Sequence, residues 1–338
     1  MLGAQIQRLI ERYRDCIPVL HETHISWVIL LGDDAYKIKK PVTYSFLDFS
    51  TIEKRRQACH REVLLNRRLA PWMYLGVEPI CQDGQEVIIG KGRGTIIDHA
   101  VKMRRLDPAR HMPVLLREGN VTKRHMQQIA EQLIIFHTST NTSEACPDAS
   151  AMLSDFRDLL SVEQEIRVSI GDAGITRIHE AIAMAETVLA HLTKRIRQRF
   201  DAGLVVDGHG DLHSGNIFLL DEPVIFDCIE FNDRFRQVDI LDELAFFCLD
   251  LDLHGRPDLA AVFLEYYCAR HRCMTTGSDA ILFNYYRLYR ANVKIKVQAL
   301  KGRQAPAGVP TQQRYRKVKA YFDLLEKYLD DVRFHRRP

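Results

Sequence analysis

The stretch GHGDLHSGNIFLL, residues 208–220, decides the fold of this chain. Asn216 follows Asp211 by five positions, and a second patch, VIFD, residues 224–227, ends in another carboxylate, Asp227. An apolar run and three turn residues lie between Asn216 and the second patch, which is itself rich in β-forming side chains. The pattern predicts a short β-hairpin with Asn216 at one base and Asp227 at the other.

These residue types match the needs of phosphoryl transfer from a nucleotide. Asp211 would accept or orient the proton of the attacking hydroxyl. Asn216 and Asp227 would supply the hard oxygen ligands that Mg²⁺ prefers. His209 completes a His-x-Asp element, and the glycines around it permit tight backbone turns. We therefore predict His209 and Asp211 as catalytic residues and Asn216 and Asp227 as metal ligands.

A different interpretation of the same stretch stays open at this point. His209, Asp211 and His213 alternate as His-x-Asp-x-His, a pattern that can bind a transition metal in a hydrolase. This interpretation leaves Asn216 and Asp227 without a role, so phosphoryl transfer explains more of the sequence.

The motif resembles the catalytic loop of the aminoglycoside phosphotransferase and choline kinase-like families, relatives of protein kinases that phosphorylate small molecules. Residues 226–233 and 239–247 are similar to one bacterial subgroup of phosphotransferase-like proteins. The resemblance covers nearly the whole chain and implies a bilobal, protein kinase-like α+β fold. It implies a small β-rich N-lobe for the nucleotide, residues 1–105, and a large helical C-lobe with the catalytic loop and acceptor site, residues 106–338.

The same resemblance indicates the cofactors and partners. We expect ATP or GTP with Mg²⁺, and a small-molecule acceptor that the sequence does not identify. Relatives in the subgroup are often fused to a P-loop kinase-like domain, so a P-loop kinase-like protein is a candidate partner. The chain has no Gly-x-Gly-x-x-Gly before its first strands, which favours a second alternative, a pseudokinase or regulatory nucleotide-binding module.

Two lysines of one predicted strand are candidates for a phosphate clamp. In the strand over residues 35–39, side chains alternate between faces, so Lys37 and Lys39 share a face. A helix from about residue 51 to residue 69 follows, with Glu62 on its inner side, where it would hold one lysine against the phosphates. The sequence does not separate Lys37 from Lys39, and ordinary surface positions for both are the alternative.

Other site residues follow from the resemblance. Ser26, in the loop before the preceding strand, is the candidate for contacting the phosphates. Adenine would bind the backbone at Val101 and Met103, where a strand leads into the connection between the lobes. Two residues are expected to support the catalytic loop, His213 and Asp242. Two are expected to contact the acceptor, Glu230 and Asp233.

Composition and charge exclude several other classes. The formal net charge of the 338 residues is only +3, too small to indicate nucleic-acid binding. No apolar run approaches the ~20 residues of a membrane span. The eight cysteines form no Cys-x-x-Cys motif, which suits reduced thiols. We expect a cytoplasmic enzyme that binds neither nucleic acid nor membrane. The glycine-rich residues 90–94 lack Walker A spacing, so they predict a hairpin turn.

Overall fold

The computed structural model describes residues 3–44, 46–304 and 308–335. Contacts divide the chain into two compact units. The first is built from the described residues within 1–119, 209–211 and 215–236, and the second from those within 120–208, 212–214 and 237–338. Lys37 and Asp227, which are central to the predicted site, both belong to the first unit.

Strands and helices are numbered along the chain. The strands are β1 Val19–Glu22, β2 Ser26–Leu31, β3 Asp34–Lys39, β4 Thr43–Tyr44, β5 Leu47–Asp48, β6 Tyr74–Asp83, β7 Glu86–Ile89, β8 Thr95–Arg104, β9 Val205–Asp207, β10 Ile217–Leu219, β11 Pro223–Ile225 and β12 Gln237–Asp239. The α-helices are α1 Gly3–Arg12, α2 Ile52–Asn66, α3 Met112–Arg117, α4 Lys123–Ser139, α5 Ala149–Arg157, α6 Glu163–Asp201, α7 Ile240–Leu253, α8 Pro257–Arg270, α9 Gly277–Arg303 and α10 Thr311–His335.

The first unit is organised by an antiparallel sheet with strand order β1-β2-β3-β8-β6-β7. Alternation along β3 separates two cores, because Ile38 packs with Trp27 and Ile29 on one face while Ala35 packs with Cys59 of α2 on the other. Lys37 and Lys39 share the parity of Ala35, so both lie on the face that α2 covers. Residues 90–94 connect β7 to β8, but the predicted hairpin is wrong, because β7 pairs with β6 and β8 lies between β3 and β6.

Helix α2 begins where the sequence predicts. Thr51 is its N-cap, and its side chain accepts a hydrogen bond from the Lys54 amide at 3.2 Å. The buried side of the helix is partly polar, and the fully buried Glu62 lies on it. Arg55 illustrates how such groups are satisfied, because its guanidinium pairs with the buried carboxylate of Asp98 at 3.0 Å. The helix therefore presents fixed charges to the sheet as well as apolar side chains.

The second unit consists of α4 to α10 with the two-stranded ladder of β9 and β12. Helix α6 is interrupted at Gly171, whose φ of 71° lies in the left-handed region. All of α7 from Ile240 to Leu251 is buried, which matches its almost continuous apolar sequence. Within the described residues, none of the helices combines the length and the apolar character that a membrane crossing requires.

Candidate active site

The predicted hairpin forms at the centre of the motif. Strands β10 and β11 pair in antiparallel register, with Ile217 opposite Ile225. One step beyond the ladder, the Phe226 amide donates to the Asn216 carbonyl at 3.0 Å. Asn216 and Asp227 therefore lie at the two bases of one hairpin, as the sequence predicts.

The side chain of Asn216 is oriented by the catalytic loop. Its Nδ2 donates to the backbone carbonyl of Asp211 at 3.0 Å, and the side chain is nearly buried. This bond uses the nitrogen end of the amide, so Oδ1 points away from the Asp211 carbonyl. An asparagine held in this way offers its oxygen to a hard cation.

His209 connects the catalytic loop to the hairpin through both ring nitrogens. Its Nε2 lies 2.8 Å from the Phe226 carbonyl, and the Asp211 amide donates to its Nδ1 at 3.3 Å. This pattern fits the neutral imidazole with its proton on Nε2. Both ring nitrogens of His209 already bind backbone groups and are therefore not available to a metal ion. The His-x-Asp-x-His hydrolase interpretation loses its first ligand.

Gly210, between His209 and Asp211, lies very close to the chain segment that follows the hairpin. Its φ is 85°, and a Cβ built there would lie 2.6 Å from the Phe235 carbonyl oxygen. Both the backbone angle and the contact exclude a larger residue. The chain at Phe235 therefore packs directly on the residue before Asp211.

Asp227 has a strained backbone, which two hydrogen bonds hold in place. Its φ of 66° is rare for a residue other than glycine. The Asp227 amide donates to the Tyr74 hydroxyl at 3.2 Å, and the next amide, that of Cys228, donates to Asn66 Oδ1 at 2.8 Å. Sequence reasoning missed Tyr74 and Asn66, because nothing in a tyrosine or an asparagine signals such a remote backbone partner.

The Asp227 carboxylate itself faces Lys37. Lys37 Nζ donates to Asp227 Oδ1 at 2.5 Å and lies 2.9 Å from Glu62 Oε1. The three side chains come from β3, from α2 and from the end of the hairpin. The carboxylate of Asp227 remains 38% exposed, whereas Glu62 is fully buried. This is the arrangement predicted for a clamp lysine, its helix glutamate and a metal-binding aspartate.

Lys39 occupies a different environment. Its side chain is fully buried, and its Nζ contacts both Glu62 Oε2 and Glu230 Oε1. The ring of Phe49 lies 5.5 Å from the same nitrogen. The structure thus distinguishes the two lysines, because Lys37 reaches the partly exposed Asp227 and Lys39 does not. Glu230, which was expected to contact the acceptor, is buried against Lys39.

The ionisation of these groups is strongly interdependent. Burial would lower the pKa of Lys37, but the carboxylates of Asp227, Glu62 and Glu230 outweigh it and raise that pKa well above its usual value. Burial would raise the pKa of Glu62, but Lys37 and Lys39 outweigh it and hold that pKa at about 2. Both lysines and Glu62 are therefore charged at neutral pH. Burial raises the pKa of Glu230, which Lys39 opposes.

Three residues predicted to bind the nucleotide lie inside the sheet. The Ser26 hydroxyl is buried at the start of β2, and the Ser26 amide donates to Thr23 Oγ1 at 2.9 Å. Val101 and Met103 are interior residues of β8, whose backbone is paired on both sides by β3 and β6. The phosphate and adenine contacts predicted for these residues stay predictions. Two residues after the end of β8, Leu106 packs in the same apolar cluster as Met103.

That apolar cluster offers a surface for a base. It joins Ala35 and Met103 of the sheet to partly buried side chains at Leu106, Phe218 and Phe226. The Phe218 and Phe226 rings lie 5.5 Å apart. Planar, apolar walls of this kind suit an aromatic ring system such as a purine.

Asp233, the other predicted acceptor contact, is half exposed and paired with arginines. It contacts Arg61 of α2 and lies 2.8 Å from Arg236, which in turn donates to the Ile229 carbonyl at 2.8 Å. These bonds order the segment after Asp227. The acceptor role of Asp233 stays a prediction.

In the second unit, Glu243 lies close to Gly208. A Cβ built on Gly208 would lie 2.9 Å from both Glu243 carboxylate oxygens. His137 joins this carboxylate to the Tyr267 hydroxyl, with 2.7 Å at each ring nitrogen. Asp242, the predicted support, instead forms a paired ion contact with Arg290 at 2.7 Å. One helix position, a rotation of about 100°, separates the two acidic residues.

His213, the other predicted support, also lies in the second unit. Its ring packs 5.9 Å from that of Phe246. Its supporting role stays a prediction, because a ring contact of this kind is equally typical of a packed core residue.

The donor set fits a hard divalent cation. Asn216 offers an amide oxygen, and the Asp227 carboxylate is partly exposed. Two lysines and three carboxylates, those of Asp227, Glu62 and Glu230, meet in this cluster, so the acidic groups outnumber the basic ones. An excess of carboxylate beside a free amide oxygen is the chemistry that Mg²⁺ requires.

Comparison with known proteins gives both relatives and a fold. No protein-family model matches the chain. Uncharacterized proteins of Mycobacterium bovis and of two Mycobacterium tuberculosis strains are 33% identical to it over 288 residues, which are 83% of this chain and 55% of each relative. The chain therefore spans about half the length of the curated relatives it matches.

Solved structures of small-molecule kinases share the architecture. A thermostable aminoglycoside phosphotransferase mutant matches with a TM-score of 0.56 at 10% identity, over 96% of this chain and 98% of that one. Plasmodium vivax ethanolamine kinase matches at 0.53 and 11%, over 94% and 83%. A choline/ethanolamine kinase family protein from Mesorhizobium loti matches at 0.50 and 13%, over 94% and 92%.

The chain thus has the protein kinase-like α+β fold of the small-molecule phosphotransferases. The form of that fold is the one that choline/ethanolamine kinases and aminoglycoside phosphotransferases share, so the resemblance that the motifs indicated is confirmed at the level of the fold.

Proposed function

We propose that this protein is a Mg²⁺-dependent phosphotransferase that transfers the γ-phosphoryl group of ATP or GTP to a hydroxyl of a small molecule. The observation that carries the proposal is the position of Lys37, which contacts Asp227 and Glu62 at once. Three chain segments far apart in sequence must meet to build this contact. Phosphoryl transfer is the chemistry that needs such a set.

Each residue has a definite task in this proposal. Bound Mg²⁺ would neutralise part of the charge of the nucleotide phosphates. Asn216 and Asp227 would hold it through Oδ1 and the carboxylate. Lys37 would turn its ammonium group to the phosphates, while Glu62 keeps it in place. Asp211 would accept a hydrogen bond from the attacking hydroxyl and take its proton as the new bond forms.

His209 would act indirectly, as a positioning residue. Its ring fixes the Asp211 amide on one side and the Phe226 carbonyl on the other. One imidazole would thereby hold both Asp211, which is proposed to contact the acceptor, and the backbone next to Asp227, which is proposed to bind the metal. Catalysis of this type depends mostly on position and charge, so such a support matters more than any tuned pKa.

Substitution of Asp211 by Asn tests the proposal. The change keeps size and shape but removes the charge and the proton acceptor, so nucleotide turnover should fall by about 10²–10⁴-fold. Binding of Mg²⁺ with a non-hydrolysable ATP analogue should change far less. Asp201→Asn, at an exposed ion pair of α6, is the control.

Three measurements on the same samples separate the alternatives. Turnover should be followed with a panel of hydroxyl acceptors, nucleotide binding by calorimetry, and transition-metal content by elemental analysis. Unchanged turnover in Asp211→Asn would refute the role of this residue. Nucleotide binding without turnover of the unmodified protein would favour the regulatory module. Stoichiometric zinc lost on substitution would favour the hydrolase.

A further inference from the structure

A buried ion pair beside the clamp has no task in the chemistry proposed above. Lys39 and Glu230 are both nearly or fully inaccessible, and each contacts the other. Neither reaches Asp227 or the exposed side of the cluster. Removing two charges from water often costs more than their contact returns, even when they are paired, so stability alone does not explain why this pair is present.

The five charged groups form an alternating row. Asp227 contacts Lys37, Lys37 contacts Glu62, Glu62 contacts Lys39, and Lys39 contacts Glu230. The row starts and ends on the same short stretch of chain, because Asp227 and Glu230 are three residues apart. Lys37 and Lys39 are likewise two residues apart on β3. The strand therefore holds this stretch at two points, with Glu62 between them.

Helix α2 holds the following residues as well. Asn66 accepts a hydrogen bond from the Cys228 amide at 2.8 Å, and Arg61 contacts the Asp233 carboxylate. The segment that follows Asp227, residues 228–236, is thus attached to one helix near both ends. The Lys39–Glu230 pair ties the same segment to the strand that carries the clamp lysine.

We propose that Lys39 and Glu230 are positioning residues for the clamp. Their ion pair is a permanent tie that holds residues 228–236 and Glu62 together. Because of this tie, Lys37 and Asp227 face each other before a nucleotide binds. Lys39 binds Glu62 Oε2 and leaves Oε1 for Lys37. When Lys37 turns to the phosphates, Glu62 is still fixed by Lys39. The inference rests on the proposed function for its link to nucleotide binding, but the tie itself is a property of the fold.

Three variants test the tie: Lys39→Met, Glu230→Gln, and the double variant with both changes. Lys39→Met leaves the buried Glu230 carboxylate without its cation, and Glu230→Gln leaves Lys39 with Glu62 alone, whereas the double change removes the tie and keeps the net charge of the cluster. Lys54→Met, which breaks the exposed ion pair with Asp48, is the matched control. The three readouts are amide hydrogen exchange, thermal unfolding, and affinity for a non-hydrolysable ATP analogue with Mg²⁺.

The tie predicts a specific combination of results. Amides of residues 228–236 should exchange at least about tenfold faster than in the unmodified protein in all three variants, and not in Lys54→Met. The double variant should regain most of the melting temperature that the single variants lose. Its affinity for the analogue should remain about tenfold weaker than that of the unmodified protein, because the clamp is no longer held in position.

Other outcomes overturn the inference. Unchanged exchange of residues 228–236 in a folded double variant would show that the pair does not hold the segment. Recovery of both exchange and affinity in the double variant would show that Glu230 only balances the charge of Lys39. If the unmodified protein binds no nucleotide, the proposed function fails, while the exchange measurement still decides whether the tie exists.

Discussion

Replacing Lys37 and Lys39 by Met, one at a time, should separate an effect on turnover from an effect on stability. Lys39 is fully buried between Glu62 and Glu230. Without Lys39, Glu62 still contacts Lys37, but the buried carboxylate of Glu230 loses its cation. Breaking a buried ion pair by removing one partner costs about 3–5 kcal/mol. Folded domains are stable by only about 5–15 kcal/mol, so this is a severe loss. For a cooperative unit of about 150–250 residues it corresponds to a fall of roughly 6–20 °C in melting temperature.

Lys37→Met should behave in the opposite way. Asp227, which loses its partner, is 38% exposed and can be hydrated, and Glu62 keeps Lys39. The stability cost should therefore be about 1 kcal/mol, as for an exposed ion pair. Turnover should fall about 10²–10³-fold, the usual loss for one fixed charge aimed at the transition state.

Thermal unfolding and nucleotide turnover on both variants check this pair of results. The exposed Lys54→Met variant supplies the baseline for each assay. The reasoning would be refuted if Lys39→Met kept its melting temperature, or if Lys37→Met kept its turnover while Lys39→Met lost it. Equal, negligible effects at both lysines would show that the strand does not carry a clamp.

Three further results are expected. Gly210→Ala should lower both stability and turnover, because the φ of Gly210 is 85° and a Cβ there would lie 2.6 Å from a carbonyl oxygen. The control Gly277→Ala, where a Cβ meets open space, should lower neither, and thermal unfolding measures the difference in stability. Burial would raise the pKa of Asp279, but Arg195 and the hydrogen bonds of the helix cap outweigh it and keep that pKa below its usual value. The resulting stability is present above about pH 4 and lost as pH falls further, so urea unfolding of Asp279→Asn should show a smaller loss in acid. Lys37→Met should bind Mg²⁺ more tightly without nucleotide than the unmodified protein does, as measured by calorimetry.

Local sequence patterns predicted much of the fold. The alternation of β3 put Lys37 and Lys39 on one face, Thr51 marked the start of α2, and the turn residues after Leu220 produced the hairpin. Each of these depends on neighbours within a few residues, which is the range over which capping and strand periodicity act.

The parts that could not be predicted depend on distant contacts. Nothing local distinguishes Lys37 from Lys39, because their difference is set by Asp227 and Glu230, nearly 190 residues away. Glu230 was expected to contact the acceptor, whereas the fold buries it against Lys39. His209 carried the signature of a catalytic histidine, yet its ring nitrogens are both used by backbone groups.

The contact between Lys37 and Asp227 has a consequence for the order of binding. The same carboxylate cannot be fully available to a metal ion while it accepts a hydrogen bond from an ammonium group 2.5 Å away. Nucleotide phosphates would draw Lys37 away and release Asp227, so nucleotide and Mg²⁺ should each strengthen the binding of the other. Such coupling is reciprocal by thermodynamic necessity. In this view Lys37 keeps the acidic cluster neutralised until the metal and the phosphates arrive together, and Glu62, shared with Lys39, keeps Lys37 within reach of both.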